Sequence, residues 1–344
     1  MVSARRLVVR CQVLMVMLMV LVGGCSSKST PPGNAAGSDG SKVRIAMLPK
    51  IKGISYFSSC YQGAQRAAAE LPNVELIYDG PIDGDPKKQA EMIEQWIVEK
   101  VDVICVAPNA PDVVANAMRD ARAQGIHVIT WDADGVADSR ELFVNQATPE
   151  SIAKGMVNAM VKDVGGPEVA GDVVIISSDA TSANQNSWIE IMKPALEATR
   201  LKLVTIKYPG ENAANALADA QDVIKKYPDL KGIFGISSVA FPGAAEAVEQ
   251  GGKSGQVMVT GLSTPGDMKR FVQSGTVKSV VLWNTLDLGY LTVKVAEGLA
   301  TGKIKQGDAQ VDGGSLGSRP IEGDHVLLGD ILVFTRENID QYDF

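Results

Sequence analysis

Histidine and cysteine, the residues that most often bind zinc or act as nucleophiles, are scarce in this chain. There are two histidines and four cysteines in 344 residues. His127 and His325 do not have the spacing of metal ligands, and no cysteine belongs to a C-x-x-C pair. Two cysteines lie in the first 25 residues, which leaves Cys60 and Cys105. We favour two unpaired, buried side chains, and a single disulfide between them is the alternative. We therefore expect no metal site, no cofactor and no dependence on disulfides.

Complete motifs for phosphate binding and nucleophilic catalysis are also absent. Gly252, Lys253 and Ser254 match the end of a phosphate-binding loop, but Ala247 stands where the first glycine should be. The segment 235–239 (GISSV) lacks the second glycine of a nucleophile elbow. These gaps favour a binding protein over an enzyme.

Basic residues are outnumbered by acidic ones. The chain has 33 lysines and arginines against 40 aspartates and glutamates, for a formal net charge of −7. An acidic protein is poorly suited to bind nucleic acid or the surface of anionic lipid. Aromatic residues make up only 5% of the chain, but hydrophobic residues reach 45%, which is ample for a globular core.

Long apolar runs are missing except near the N-terminus. There, three arginines precede an apolar run over residues 13–22, too short for the roughly 20 residues that cross a bilayer. Small residues before Cys25 resemble a bacterial lipobox, so we predict a lipoprotein signal peptide over 1–24 and acylation of Cys25. Residues 25–42 then read as a flexible tether, and the folded part is expected outside the cytoplasm, anchored to the cell membrane. An ordinary signal peptide with an incidental cysteine is the alternative.

Short apolar β-runs alternate with amphipathic helical periods from residue 43 onward. This alternation predicts parallel sheets with helices on both faces. Because the pattern occurs twice, the predicted fold is α/β, with two similar doubly wound parallel-sheet lobes and a cleft between them. The predicted N-terminal lobe comprises 43–146 and about 284–308, and the C-terminal lobe 147–283 and about 309–344. We expect the chain to cross between lobes near 147–148, 283–284 and 307–312.

Polar and aromatic side chains follow the carboxyl ends of several predicted strands, where open α/β sheets bind their ligands. We expect a ligand site that contains Lys50, Tyr56, Phe57, Asp132, Asp134, Asn184, Gln185, Ser238, Ser263, Trp283 and Asn284. Amides and carboxylates pair with hydroxyls, and aromatic rings cover C–H faces, so this set suits a small polyhydroxylated molecule. The ordinary structural alternatives are a helix cap for Asn184 and a place in the core for Trp283.

Seven short segments, in order along the chain, carry a further signal. They are 46–50 (AMLPK), 78–81 (YDGP), 130–132 (TWD), 145–146 (NQ), 185–186 (QN), 263–265 (STP) and 337–344 (ENIDQYDF). Together they resemble the periplasmic sugar-binding proteins of ABC importers, of the ribose-binding type. The similarity is greatest to the branch of the autoinducer-2 receptor and its rhamnose-binding relatives. The resemblance covers 43–344 and implies the type I periplasmic binding protein fold.

The same resemblance implies a set of ligand contacts. In the receptor branch these come from a lysine, two aspartates, a glutamine, a proline and an alanine. Here Lys50, Asp132 and Gln185 match, whereas the other three positions hold Asn184, Ile236 and Ser238. An amide donates as well as accepts hydrogen bonds, so the changes favour another small neutral ligand, namely a sugar alcohol, a pentose or a deoxyhexose.

The function implied is that of a monomeric substrate-binding lipoprotein. It would capture its ligand by hinge closure and deliver it to the permease of an ABC importer with its ATPase. Two alternatives stay open. One is a sensor of autoinducer-2 or sugar that signals to a membrane receptor. The other is a secreted carbohydrate-active enzyme that uses Asp132 and Asp134 as its acid pair.

Overall fold

A computed structural model of the protein describes residues 42–305 and 307–344. The predicted signal peptide over 1–24, Cys25 and all but the last residue of the predicted tether lie outside these residues. Among the described residues, no helix has both the length and the apolar character needed to cross a membrane.

The first lobe is built on parallel strands that alternate with helices. Its elements run β1 (Val43–Leu48), α1 (Ser55–Glu70), β2 (Val74–Tyr78), α2 (Pro86–Val98), β3 (Val103–Val106), α3 (Pro111–Ala123), β4 (His127–Trp131) and β5 (Phe143–Asn145). All four residues of β3 are buried, as expected for a strand covered by helices on both faces. The start of α2 is fixed by Asp85, whose side chain accepts a hydrogen bond from the Lys87 backbone N–H, with Pro86 at the first helical position.

The second lobe repeats this arrangement. It comprises α4 (Pro149–Val164), β6 (Gly171–Ile176), α5 (Ala183–Glu197), β7 (Leu201–Lys207), α6 (Ala213–Lys226), β8 (Leu230–Gly235), α7 (Ala240–Gln250), β9 (Met258–Gly261), α8 (Pro265–Ser274) and β10 (Val280–Leu282). Four of its strands form a parallel sheet in the order β7-β6-β8-β9. The predicted α/β class with two parallel sheets is therefore confirmed.

The C-terminal part of the chain is shared between the lobes. It forms α9 (Thr285–Ala300), β11 (Gln310–Asp312), β12 (Ser318–Glu322), β13 (His325–Leu327) and β14 (Leu332–Phe334). The first sheet has the order β2-β1-β3-β4-β5-β13-β12-β11, with β13 parallel to β5. In contrast, β14 pairs antiparallel with β10.

This arrangement corrects one predicted boundary. The sequence assigned 309–344 to the second lobe, but β11, β12 and β13 extend the first sheet, and only the last part of the chain lies with the second lobe. The third crossing between lobes therefore lies between β13 and β14 rather than near 307–312. The physical reason is that the edge of β5 is open for pairing, and β13 satisfies its backbone groups.

Helices α1 and α9 approach each other unusually closely in the first lobe. A Cβ atom on Gly63 would lie 1.7 Å from the Leu286 carbonyl oxygen, and one on Gly289 would lie 1.7 Å from that of Cys60. Only glycine fits at either position. The contact fixes the middle of α1 against the start of α9. Cys60 and Cys105 are both buried and unpaired, as predicted.

Candidate ligand-binding site

A cavity lies at the carboxyl ends of the strands, between the two lobes. The first lobe contributes Lys50, Ile54, Tyr56, Phe57 and Asp132, and the second contributes Asn184, Gln185, Trp188, Glu211, Ile236, Ser237, Ser238 and Leu262. Leu282 and Trp283 complete the lining, at the point where the chain returns to the first lobe. Eight of the eleven predicted site residues are thus brought together around one space.

Asp132 is the acidic centre of the first lobe's half of the cavity. It directly follows β4 with a backbone φ of 63°, a left-handed conformation that aspartate tolerates better than most residues. The residue is 5% exposed. Its carboxylate accepts a 2.6 Å hydrogen bond from the Tyr56 hydroxyl and lies 3.6 Å from the Lys50 ammonium. Burial raises the pKa of the Asp132 carboxyl, and the charge of Lys50 and the Tyr56 hydrogen bond oppose that rise.

The aromatic side chains form a connected wall. The Trp283 indole N–H donates a 2.9 Å hydrogen bond to the Tyr56 hydroxyl, which itself donates to Asp132. Edge-to-face contacts link Trp283 to Tyr56 and to Trp188, with ring centroids 6.0 and 6.2 Å apart. Burial, and then the negative charge of Asp132, raise the pKa of Tyr56 well above its usual value, so the phenol remains a neutral donor. The wall therefore presents apolar ring faces, and the Tyr56 hydroxyl and the Trp283 indole N–H within it are paired.

Asn184 connects the two lobes across the cavity. Its Oδ1 accepts a 3.0 Å hydrogen bond from the Lys50 ammonium, and its Nδ2 donates to the Asp132 carbonyl oxygen at 3.5 Å. It lies in the first turn of α5, after the N-cap residue Ser182. Its Oδ1 also accepts a 3.0 Å hydrogen bond from the Gln185 backbone N–H, so Asn184 satisfies a free N–H at the start of the helix without occupying the N-cap position. A second bridge joins the lobes where the Ser55 hydroxyl donates to Asp267 at 2.8 Å.

The side chain of Gln185 is fixed by hydrogen bonds to its amide oxygen. Oε1 accepts hydrogen bonds from the Ser177 hydroxyl at 2.5 Å and from the Ser178 backbone N–H at 2.8 Å. Those two bonds fix the amide orientation and leave Nε2 as the donor that a bound molecule can use.

Asp134 does not line the cavity, although it was predicted to. It accepts hydrogen bonds from the Thr130 hydroxyl at 2.7 Å and from the buried Arg140 guanidinium at 2.6 and 2.8 Å. A tight turn, in which the Ala133 N–H donates to the Trp131 carbonyl, sends the two aspartates in different directions. Asp132 and Asp134 therefore do not form the acid pair that a glycosidase would need.

Two more predicted residues have structural partners instead. The Ser263 hydroxyl donates to the Ser238 carbonyl oxygen at 3.2 Å, so Ser263 supports the cavity lining from behind. Asn284 is the N-cap of α9, and its side chain accepts a hydrogen bond from the Asp287 backbone N–H.

Several lining residues were missed by the sequence prediction: Ile54, Trp188, Glu211, Leu262 and Leu282. Two of them carried a usable signal. Trp188 lies four residues after Asn184, hence on the same face of α5. Glu211 follows β7 at its carboxyl end, the pole at which the other site residues were found. The apolar side chains gave no signal that separates a cavity wall from the core.

Comparison with known proteins now identifies the class. Residues 45–304 match the family model described as "Periplasmic binding protein domain", so the chain belongs to that family. Membership implies an extracytoplasmic location. A D-ribose/D-allose-binding protein of Pseudomonas aeruginosa is 26% identical over 243 residues, which cover 69% of this chain and 75% of that protein.

Two solved structures resemble this chain over nearly their whole length. LsrB from Clostridium saccharobutylicum in complex with AI-2 is 25% identical, covers 88% of this chain and 100% of its own, and has a TM-score of 0.82. An ABC transporter solute-binding protein from Clostridium phytofermentas with bound L-rhamnose is 27% identical, covers 88% and 98%, and has a TM-score of 0.80. The predicted family resemblance is confirmed, and these relatives are binding proteins rather than enzymes.

Proposed function

We propose that this protein is the substrate-binding lipoprotein of an ABC importer. It captures a small neutral polyhydroxylated ligand, namely a sugar alcohol, a pentose or a deoxyhexose, and delivers it to a membrane permease that works with an ATPase. The observation that carries the proposal is an inter-lobe cavity where Lys50, Asp132, Asn184 and Gln185 meet an aromatic wall. The binding of ribose, allose and rhamnose by the related proteins supports the same ligand class.

The chemistry of the cavity matches such a ligand. Charged and amide groups supply donors and acceptors for hydroxyls, while the rings of Tyr56, Phe57 and Trp283 cover C–H faces. The polar groups come from both lobes, so a ligand that bonds to all of them stabilises the closed arrangement. Lys50 and Asn184 already join the lobes, and hydroxyls inserted between them would take over that bridge.

A second candidate ligand is AI-2, in a receptor for import or signalling. The structural similarity to LsrB favours it. Against it stands Asn184, which replaces the second aspartate of the receptor branch and offers an amide in place of a carboxylate.

A binding screen tests the proposal. The purified full chain is tested by thermal shift and calorimetry against pentoses, deoxyhexoses, sugar alcohols and AI-2. A ligand at 100 times its dissociation constant adds about 2.7 kcal/mol to the free energy of unfolding. Asp132→Ala should weaken binding by about 1.5–3 kcal/mol, because a buried charged acceptor is lost. Asp134→Asn is the matched control, since its carboxylate lies outside the cavity, and its affinity should equal that of the unmodified protein.

The lipid anchor is tested separately. Metabolic labelling with a palmitate analogue should mark the mature chain, and Cys25→Ser should abolish both the label and recovery in the membrane fraction. Labelling that persists in Cys25→Ser, or a mature N-terminus other than residue 25, would favour the ordinary signal peptide instead.

A further inference from the structure

Glu211 places a second carboxylate in the candidate site. It lies in the loop between β7 and α6 and lines the same cavity as Lys50 and Asp132, but it comes from the opposite lobe. The contact set implied by the family resemblance contains no residue from this loop. Its position is therefore a feature of this chain that the resemblance does not supply.

One oxygen of the Glu211 carboxylate lacks a hydrogen-bond partner, although Ser178 bonds to the carboxyl group. Its Oε2 atom is buried and has no hydrogen-bond partner among the described residues. Buried polar atoms in folded proteins are nearly always paired, so an orphaned carboxylate oxygen that faces a cavity points to a bound group. The Lys50 ammonium is engaged elsewhere, since it donates to Asn184 and lies 3.6 Å from Asp132.

The charges around Glu211 explain why a neutral donor fits it. Burial raises the pKa of the Glu211 carboxyl, the positive charge of Lys50 and a hydrogen bond from Ser178 oppose that rise, and the negative charges of Asp179 and Asp132 add to it. Lys50 is the one cation in the lining, against two carboxylates. A ligand that brought a further negative charge would be repelled, whereas hydroxyl groups can donate to each carboxylate without adding charge.

We propose that Glu211 binds the ligand directly and determines its specificity, taking the acceptor role of the aspartate that Asn184 replaces. The inference rests on the proposed function and narrows it. The preferred ligand is a polyol or sugar with donor hydroxyls at both ends, one group bonded to Asp132 of the first lobe and the other to Glu211 of the second.

The test compares three proteins by calorimetry with D-ribose, D-arabinose, L-rhamnose and ribitol as probes. Glu211→Gln keeps the shape of the side chain but exchanges one acceptor for a donor, and it should bind the best probe at least tenfold more weakly than the unmodified full chain. Glu190→Gln is the matched control because Glu190 is an exposed residue of α5 that pairs with Lys193. Its affinity should be unchanged.

Thermal unfolding without added sugar supplies a second measurement. Since a desolvated charge is removed, Glu211→Gln should melt at an equal or higher temperature than the unmodified chain. A purely structural role predicts a lower melting temperature and would overturn the inference. Binding of a probe by the unmodified chain with the same affinity in Glu211→Gln would also overturn it, while leaving the proposed function intact. Failure of the unmodified chain to bind any probe or screened ligand would overturn the proposed function itself.

Discussion

The Tyr56 hydroxyl links the aromatic wall of the site to its central carboxylate, and its removal has a calculable cost. Tyr56→Phe deletes one oxygen atom from a residue that is 6% exposed and creates almost no cavity. Asp132 loses a 2.6 Å charged hydrogen bond, worth about 1.5–3 kcal/mol, and the Trp283 indole loses its acceptor, worth about 0.5–1.5 kcal/mol. Asp132 and Trp283 are both buried, at 5% and 2% exposure, so neither group turns to bulk water for a new partner. We expect the free energy of unfolding to fall by about 2–4 kcal/mol.

The assay is urea unfolding, with Tyr61→Phe as the control on the same helix. The Tyr61 ring stacks on Tyr78 with centroids 4.1 Å apart, and its hydroxyl has no hydrogen bond among the described residues. Its loss should change the free energy of unfolding by less than about 0.5 kcal/mol. Equal effects of the two substitutions would refute the reasoning.

Tyr56→Phe should also change the pH dependence of ligand binding. The Tyr56 hydrogen bond holds down the pKa of Asp132, so its loss raises that pKa further. Ligand binding that needs the charged carboxylate is present above this pKa and lost as the pH falls through it. In Tyr56→Phe, the fall in affinity on acidification should therefore begin at a higher pH.

Two further predictions concern the first lobe: the close contact of α1 with α9, and the pairing of His127 with Glu141. Gly63→Ala should lower the free energy of unfolding, measured in urea, by about 1–3 kcal/mol, because its Cβ meets the rigid Leu286 carbonyl. Gly155→Ala should cost far less, because the one atom that its Cβ would clash with is the flexible end of the Ile331 side chain. Equal costs of the two substitutions would contradict this explanation. The hydrogen bond to Glu141 raises the pKa of His127, so the charged form of His127 stabilises the folded protein. This stabilisation is complete below about pH 6.5 and is lost as the pH rises through the folded-state pKa of His127. Glu141→Gln should lower the His127 pKa measured by NMR and flatten the stability difference between pH 5.5 and 8.5.

Much of the fold could be predicted because buried strands and helices have characteristic patterns of apolar residues in the sequence. A strand such as β3, covered on both faces, is a continuous apolar run, and the helices between strands show one apolar face. The strands β11 to β14 do not show such a pattern. In β11 only the middle one of three residues is buried, so nothing in 309–344 identified the sheet that it joins.

The site was predictable to the level of strand ends but not of side-chain directions. Lys50, Asp132 and Gln185 line one cavity, as expected because parallel strands bring their carboxyl ends together. Asp134 was misplaced because its direction depends on the left-handed backbone at Asp132, which alternation along a strand does not encode. Glu211 was missed because it lies in an exposed-looking polar loop, and only the folded chain shows that its carboxylate is buried.

The packing of Trp283 against Tyr56 and Trp188 gives the protein a built-in optical probe. Indole emission depends on the polarity and motion of its surroundings, and these two tryptophans lie in the lining of the cavity. Trp131 contacts Phe57 just behind that lining, with ring centroids 5.6 Å apart. Three of the four tryptophans in the chain therefore report on the same few ångströms of the molecule. The proposed lobe closure and ligand entry can therefore be timed by stopped-flow fluorescence on the unlabelled protein.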